Sequence, residues 1–141
     1  MIWQIKQDEY KKLIDHMQKC FPLEGCGLLI GPIDENNMPM GEIKRFWPTK
    51  NAAASALIYE IDSIDQLKAS RYCDENNLEI VGVVHSHTHS KAYPSPTDIK
   101  LSIDPNWIYS IVSLQEKDIV MNSYQIDKSS NEIAKVNCNI V

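Results

Sequence analysis

An apolar run that ends in a cluster of histidines limits the folds open to this 141-residue chain. The run, 78–84, is rich in β-branched residues and predicts a buried strand. Three of the four histidines in the sequence follow at once: His85, His87 and His89. Side chains two residues apart on a strand share one face, so His85 and His87 can converge on one ion. A fold that buries this strand therefore places a candidate metal site at its carboxyl end.

Asp98, in the proline-containing loop that follows the histidines, can supply a third and harder ligand. Two imidazoles and one carboxylate, with a fourth position left to water, are typical of a catalytic zinc, whereas structural zinc is normally closed by four protein ligands. Zinc in such a site lowers the pKa of water to about 7 and polarises a carbonyl under attack. The ligand set therefore predicts a hydrolase, although iron or manganese also suits two histidines and an aspartate.

Glu24 is the candidate general base, because it opens an otherwise apolar, glycine-punctuated strand. A carboxylate partly buried beside the metal could take a proton from water and pass it to the leaving amine, a role typically worth ~10²–10⁴ in rate. Cys26 lies two residues further on, and we interpret it as a small buried thiol rather than a ligand.

Together these positions match the JAMM motif: Glu24, His85-x-His87, seven residues, Ser95, two residues, Asp98. The chain therefore resembles the MPN-domain zinc metalloproteases. The resemblance implies that His85, His87 and Asp98 hold one zinc ion. It also implies that Glu24 is the general acid/base and that Ser95 helps to stabilise the oxyanion. For Ser95 the alternative is a turn residue between two prolines.

Three stretches, 24–31, 59–68 and 85–113, look like one bacterial branch of that family, the Mec-type peptidases. The likeness implies a partner: a CysO-like sulfur carrier, a small ubiquitin-like protein ending in Gly-Gly, from which the enzyme releases cysteine during cysteine biosynthesis. Removal of a carboxyl-terminal extension from a ThiS- or MoaD-like carrier stays open. A metal-free MPN scaffold is the non-enzymatic alternative, but scaffolds lose the glutamate or the ligands, and this chain keeps them all.

Two residues depart from the common family pattern. Thr88 stands where many MPN proteases have proline, and His89 is an extra histidine that the pattern does not use. We expect His89 to face solvent or substrate rather than metal. Asn51, Tyr59 and Tyr93 are interpreted as structural or groove-lining residues outside the catalytic set.

The composition narrows the cellular setting. The net charge of −5 and the scattered basic residues disfavour nucleic acid as a partner. No run of ~18 apolar residues and no signal-peptide core occur, which predicts a cytoplasmic protein without a membrane partner. The length predicts one domain over 1–141. The cysteines lack a C-x-x-C spacing and are expected to be reduced thiols: Cys20, Cys26, Cys73 and Cys138.

Periodicity predicts helices before and after an early hairpin. Apolar residues from Tyr10 to Met17 indicate an amphipathic helix that ends before Pro22, and Ile64, Leu67 and Ala69 support a second helix over about 63–75. The hairpin would join the strand around Leu28 to a strand over 43–47 closed by Pro48.

After Asp98 we expect a short helical turn through Leu101 and then three strands over 107–114, 119–126 and 132–138. This order predicts an α+β sandwich in which a mixed, bent β-sheet is flanked by a helix on either side. The MPN resemblance implies the same fold, which is related to that of cytidine deaminases.

Overall fold

The computed structural model describes residues 2–141, and the strands of this part of the chain form one mixed eight-stranded sheet. In chain order the elements are β1 (Ile2–Ile5), α1 (Gln7–Cys20), β2 (Cys26–Gly31), β3 (Glu42–Ile43), β4 (Arg45–Thr49), α2 (Ser63–Asn76), β5 (Glu79–His87), α3 (Pro96–Leu101), β6 (Ile108–Ser113), β7 (Val120–Asp127) and β8 (Glu132–Ile140). Across the sheet the order is β3-β1-β8-β7-β6-β5-β2-β4. The predicted α+β class, with a mixed sheet and flanking helices, is confirmed.

The two long helices cover opposite faces of the sheet, because successive residues of a strand point to opposite sides. Leu29 of β2 packs in a core with Leu13 and Met17 of α1, whereas Leu28 packs with Ala69 of α2. Strand β5 lies between β2 and β6 and runs antiparallel to the first and parallel to the second. The strand that carries the histidines is therefore buried on both faces, as the apolar run predicted.

Helix α2 covers the predicted span but buries a different face. Ile64 and Leu67 are 63% and 53% exposed, and the buried residues are Ala69 and Cys73. The predicted apolar stripe was therefore wrong at two of its three positions. The helix ends where Asn77 adopts a left-handed conformation and donates its N–H to the carbonyl of Cys73, a common way to satisfy a helix terminus.

The predicted hairpin is confirmed only in part, because the second strand is divided in two. β3 pairs parallel with β1 at one end of the sheet, and β4 pairs antiparallel with β2 at the other. Pro48 was expected to close the strand but lies inside β4. Since β4 is an edge strand, an outward-facing position in it needs no donor for a neighbouring strand, and proline is tolerated there.

The three strands after α3 were predicted from the sequence, and the first strand was not. β6, β7 and β8 match the three predicted segments closely. β1 was not predicted, because four residues are too few to show a pattern. Its inward residues, Trp3 and Ile5, are nonetheless fully buried. None of the helices formed by residues 2–141 has the length and apolar character needed to cross a membrane.

The cysteines are all free thiols, as predicted. Cys26 is buried, and its Sγ lies 3.3 Å from the hydroxyl of Thr49. Burial raises the pKa of the Cys26 thiol to about 11, so at neutral pH it stays protonated. This surrounding suits a packed thiol, not a nucleophile.

Candidate metal centre

The three predicted ligands come from two elements and meet at one point. His85 and His87 belong to the last three residues of β5, and Asp98 lies in the first turn of α3. The Nε2 atoms of the histidines are 3.1 Å apart. Oδ2 of Asp98 lies 3.2 Å from the first and 3.1 Å from the second. Strand periodicity and the short loop before α3 are enough to explain this convergence.

The spacing and the protonation of these atoms fit a metal ion. Ligand atoms around a tetrahedral zinc bonded at about 2.0–2.1 Å lie roughly 3.3 Å apart, which is close to the separations found here. Nδ1–H of His87 donates to the carbonyl of Lys91 at 2.7 Å, so Nε2 is left to present a lone pair to the cluster. Two imidazole nitrogens facing each other beside a carboxylate need a cation or a proton between them.

The charges of the cluster are tightly linked. Burial alone would raise the pKa of Asp98, but hydrogen bonds from His85 and His87 outweigh it and hold that pKa well below its usual range. Burial lowers the pKa of His85. For His87 the opposing contacts with Asp98 and Lys91 prevail over burial and raise the pKa. The carboxylate therefore stays ionised, while one histidine favours the neutral form that a metal requires.

Ser95 holds the carboxylate of Asp98 in place by capping α3. Its backbone N–H donates to Oδ2 of Asp98 at 2.9 Å, and its Oγ accepts from the N–H of Asp98 at 3.1 Å. This reciprocal capping box, with Pro96 at the first helical position, fixes the start of the helix. Because Oγ accepts in this bond, the hydroxyl hydrogen can still be donated elsewhere. The predicted oxyanion role stays a prediction.

Glu24 lies just before β2 and is 5% exposed. Its Oε1 is buried, and no hydrogen-bond donor in residues 2–141 reaches it. Burial raises the pKa of Glu24 to about 7, with the charge of His87 opposing the shift and that of Asp98 adding to it. The carboxyl is thus within electrostatic reach of the cluster and is poised to exchange protons near neutral pH.

The backbone around Glu24 is held from two sides. Its N–H donates to the carbonyl of Ser55 at 2.9 Å, and its carbonyl accepts from Nδ2 of Asn51 at 3.1 Å. On the other side the N–H of Gly25 donates to Oγ of Ser86 at 2.8 Å, and Ser86 N–H donates back to the Gly25 carbonyl at 2.9 Å. Asn51 is structural, as predicted. Ser86 was missed, because the alternation of a strand indicates only that its side chain points away from His85 and His87.

Tyr59 borders the cluster and an adjoining cavity. Its ring stacks on that of His85, with centroids 4.3 Å apart and planes inclined by 22°. It also lines a mostly apolar cavity of about 260 Å³ with Val83, Leu101 and Trp107. Burial raises the pKa of Tyr59, so the ring stays neutral. The interpretation of Tyr59 as a groove-lining residue is confirmed.

The remaining candidates lie outside the cluster. His89 is exposed, its Nδ1 lies 2.9 Å from Oγ1 of Thr88, and it is not part of the group that could hold a metal. Its predicted place away from the metal is confirmed. Thr88 is buried and donates its hydroxyl to the carbonyl of Ala56. Tyr93 is half exposed and makes an edge contact with Tyr124.

Two relatives with named activities are similar to most or much of the chain. The CysO-cysteine peptidase of Mycobacterium tuberculosis is 36% identical over 112 residues, which cover 79% of this chain and 73% of that protein. A probable TtuB-protein conjugate cleaving protease of Thermus thermophilus is 34% identical over 86 residues, 60% of this chain and 53% of that one.

Solved structures support the fold. A protein from Desulfitobacterium hafniense has a TM-score of 0.85 and 28% identity, with 100% of this chain and 93% of that one covered. A JAB1/MPN domain protein from Archaeoglobus fulgidus has a TM-score of 0.59 and 17% identity, with 96% and 98% covered. Residues 6–127 match the model of the prokaryotic homologs of the JAB domain. The chain belongs to this JAB/MPN-like family.

Proposed function

We propose that this protein is a zinc metallopeptidase that hydrolyses the bond after the carboxyl-terminal Gly-Gly of a ubiquitin-like sulfur carrier and thereby releases cysteine. One observation carries the proposal: the nitrogens of His85 and His87 and an oxygen of Asp98 converge within 3.2 Å, near a buried Glu24 whose Oε1 meets no hydrogen-bond donor among residues 2–141. The 36% identity to a CysO-cysteine peptidase supports the choice of substrate.

In this proposal His85, His87 and Asp98 hold the zinc. When bound, zinc polarises the scissile carbonyl and makes water more acidic. Asp98 is kept ionised by its contacts with both histidines and is oriented by the cap that Ser95 forms. The Ser95 hydroxyl hydrogen, which is not used in that cap, can donate to the oxyanion, a contact that typically contributes ~10²–10³ in rate.

Glu24 transfers the protons. Burial raises the pKa of this carboxyl to about 7 in the metal-free protein. In the proposed reaction it takes a proton from the attacking water and gives it to the amine nitrogen of the leaving group. A general acid/base works best when its pKa is near the operating pH. Since no donor among the described residues, 2–141, reaches Oε1 of Glu24, that oxygen can accept a hydrogen bond from water.

A Gly-Gly terminus suits the surroundings of the site. Tyr59 stacks directly on His85, so its ring forms one side of the space around His85, His87 and Asp98. Residues without side chains can lie extended against such a ring and against backbone groups. The free thiols of the chain are consistent with a reducing compartment, and we place the reaction in the cytoplasm, in cysteine biosynthesis.

A second candidate is removal of a longer group from the carboxyl terminus of the carrier. That group is a carboxyl-terminal extension on a ThiS- or MoaD-like carrier, or a protein to which the carrier is joined. The observation in its favour is the similarity to a protease named for cleaving TtuB-protein conjugates. Both reactions break an acyl–nitrogen bond after the carrier's last residue and use the same groups of the protein. They differ only in the size of the leaving amine.

Mass spectrometry of matched carriers tests the proposal. Zinc-loaded protein is incubated with a Gly-Gly carrier bearing one carboxyl-terminal cysteine and with the same carrier bearing a longer peptide. Selective loss of the cysteine supports the first candidate, and faster loss of the peptide favours the second. Cleavage of neither would contradict both and favour the scaffold. The Glu24→Gln variant serves as the control for contaminating proteases.

A further inference from the structure

Ser86 sits between two ligand histidines yet faces away from them. It is fully buried, and on its strand face it follows Val84, which packs in the core beneath α1. Its hydroxyl accepts from the Gly25 N–H at 2.8 Å, and its own N–H donates to the Gly25 carbonyl at 2.9 Å. Gly25 is thus gripped at both of its backbone polar groups by the residue that separates His85 from His87.

The peptide that Ser86 holds is the one that joins Glu24 to Gly25. Its N–H is bound by Ser86, and its carbonyl, which belongs to Glu24, is bound by Asn51 at 3.1 Å. On the α1 side Gly25 packs closely against Met17, since a Cβ added at Gly25 would lie 2.8 Å from the Sδ of Met17. This peptide plane is therefore fixed by two hydrogen bonds and by close packing.

We infer that Ser86 is a positioning residue whose hydroxyl fixes the Glu24–Gly25 peptide and thereby sets the place of the Glu24 carboxylate relative to His85 and His87. The inference rests on the proposed function, because it requires Glu24 to transfer protons. Ser86 moves with the ligand strand, because peptide bonds join it to His85 and to His87. One side chain thus ties the proton-transfer group to the strand that carries the metal ligands, 61 residues further along the chain.

The kinetic test replaces the hydroxyl and compares the loss with a matched buried serine. Ser86→Ala removes the acceptor, and Ser86→Cys replaces it with a weaker acceptor on a somewhat larger side chain. Ser110→Ala is the control, because Ser110 is equally buried and pairs its Oγ with Ser123 at 2.8 Å on a neighbouring strand. A misplaced catalytic group typically costs up to ~10² in rate.

We expect both Ser86 variants to lower kcat by about 10-fold to 10²-fold, with KM and zinc affinity changed less than about twofold. Ser110→Ala should lose stability without a comparable loss of kcat. If the Ser86 variants lose no more kcat than Ser110→Ala, the inference is wrong. It is equally wrong if zinc affinity falls in step with kcat, because Ser86 would then act through the ligands.

A second measurement does not depend on turnover. The carboxyl ¹³C resonance of Glu24, assigned by its loss in Glu24→Gln, is followed in zinc-loaded protein. We expect it to shift in Ser86→Ala but to stay in place in Ser110→Ala. If the wild-type protein cleaves neither carrier, the proposed function fails on its own, and the resonance then decides: a shift supports the positioning role and an unchanged signal overturns it.

Discussion

Two glutamates within residues 2–141 are buried, and their surroundings differ. Glu9, in the first turn of α1, uses both oxygens: one accepts from the Phe46 N–H at 3.0 Å and the other from Nζ of Lys12 at 3.2 Å. Glu24 is buried at least as deeply, yet its Oε1 contacts no donor in this part of the chain. The first carboxylate is satisfied by its fold, and the second is not.

The difference separates a structural acid from a reactive one. Glu9 supplies an acceptor for the Phe46 N–H of the edge strand β4, so this N–H is not left open to pairing with another strand. Glu24 gains nothing comparable from its burial, which raises its pKa to about 7. A buried polar group without a partner costs stability and calls for a functional explanation. The proposed proton transfer beside His85, His87 and Asp98 would supply that explanation.

The largest effect should come from removing a ligand, which separates metal binding from proton transfer. Asp98→Ala deletes the oxygen that contacts both histidines. We expect zinc affinity to fall by more than the ~10²-fold that loss of an outer-shell partner costs, and turnover to be lost with it. Chelation of the wild-type protein should have the same effect, reversed by zinc. Calorimetric titration measures the affinity, and tight zinc binding by Asp98→Ala would refute the ligand assignment.

The next effect sets the two glutamates against each other directly. Glu24→Gln should keep zinc but reduce turnover by ~10²–10⁴, because an amide cannot accept the proton. Glu9→Gln is the control: its amide oxygen can still accept from the Phe46 N–H, and turnover should stay within about twofold. Carrier cleavage measures both. A fully active Glu24→Gln variant would show that another group transfers the proton.

The cluster of His85, His87 and Asp98 could be predicted because its geometry is local. The period of a strand places His85 and His87 on one face, and the loop up to Ser95 and Asp98 is short, with its backbone restricted by prolines. Helix α1 could be predicted for the same reason, from its own apolar pattern, whereas for α2 the span was predicted but the buried face was not. A strand around Leu28 was equally legible as a glycine-bounded apolar run.

What the sequence did not reveal depends on neighbours far along the chain. The Ser86 hydroxyl meets the Gly25 N–H only when strands distant in sequence pair. Ile64 and Leu67 stay exposed because α2 packs through the smaller Ala69 and Cys73. The segment predicted as one strand over 43–47 is divided because β3 pairs with β1 and β4 pairs with β2, at opposite ends of the sheet. Such choices are made by tertiary packing, which single-chain patterns do not encode.

Stability should reverse the ranking of the two glutamates. Glu9→Ala leaves the buried Phe46 N–H without its acceptor, which typically costs about 1–3 kcal/mol. Turnover at a temperature where the variant is folded should be unchanged, since Glu9 lies outside the cluster. Urea unfolding measures the loss. If Glu9→Ala unfolds at the same urea concentration as the wild type, Glu9 does not stabilise the fold through Phe46.

The smallest effect is a gain in stability, and its pH dependence has a definite sign. The pKa of Glu24 is raised from 4.5 to about 7 in the folded protein, so the folded state binds this proton more tightly than the unfolded state. Its stabilising contribution is complete below pH 4.5 and is lost as pH rises through about 7. Glutamine cannot ionise and avoids that loss.

Metal-free Glu24→Gln should therefore be more stable than the metal-free wild type at pH 8, by on the order of 1 kcal/mol, with the difference vanishing near pH 4.5. Unfolding in chelator at the two pH values measures it, with Glu9→Gln as the control that gains nothing. A Glu24→Gln variant less stable than wild type at pH 8 would mean that a partner stabilises the ionised carboxylate and that its burial does not destabilise the folded state. The site would then have lost the feature that sets Glu24 apart from Glu9.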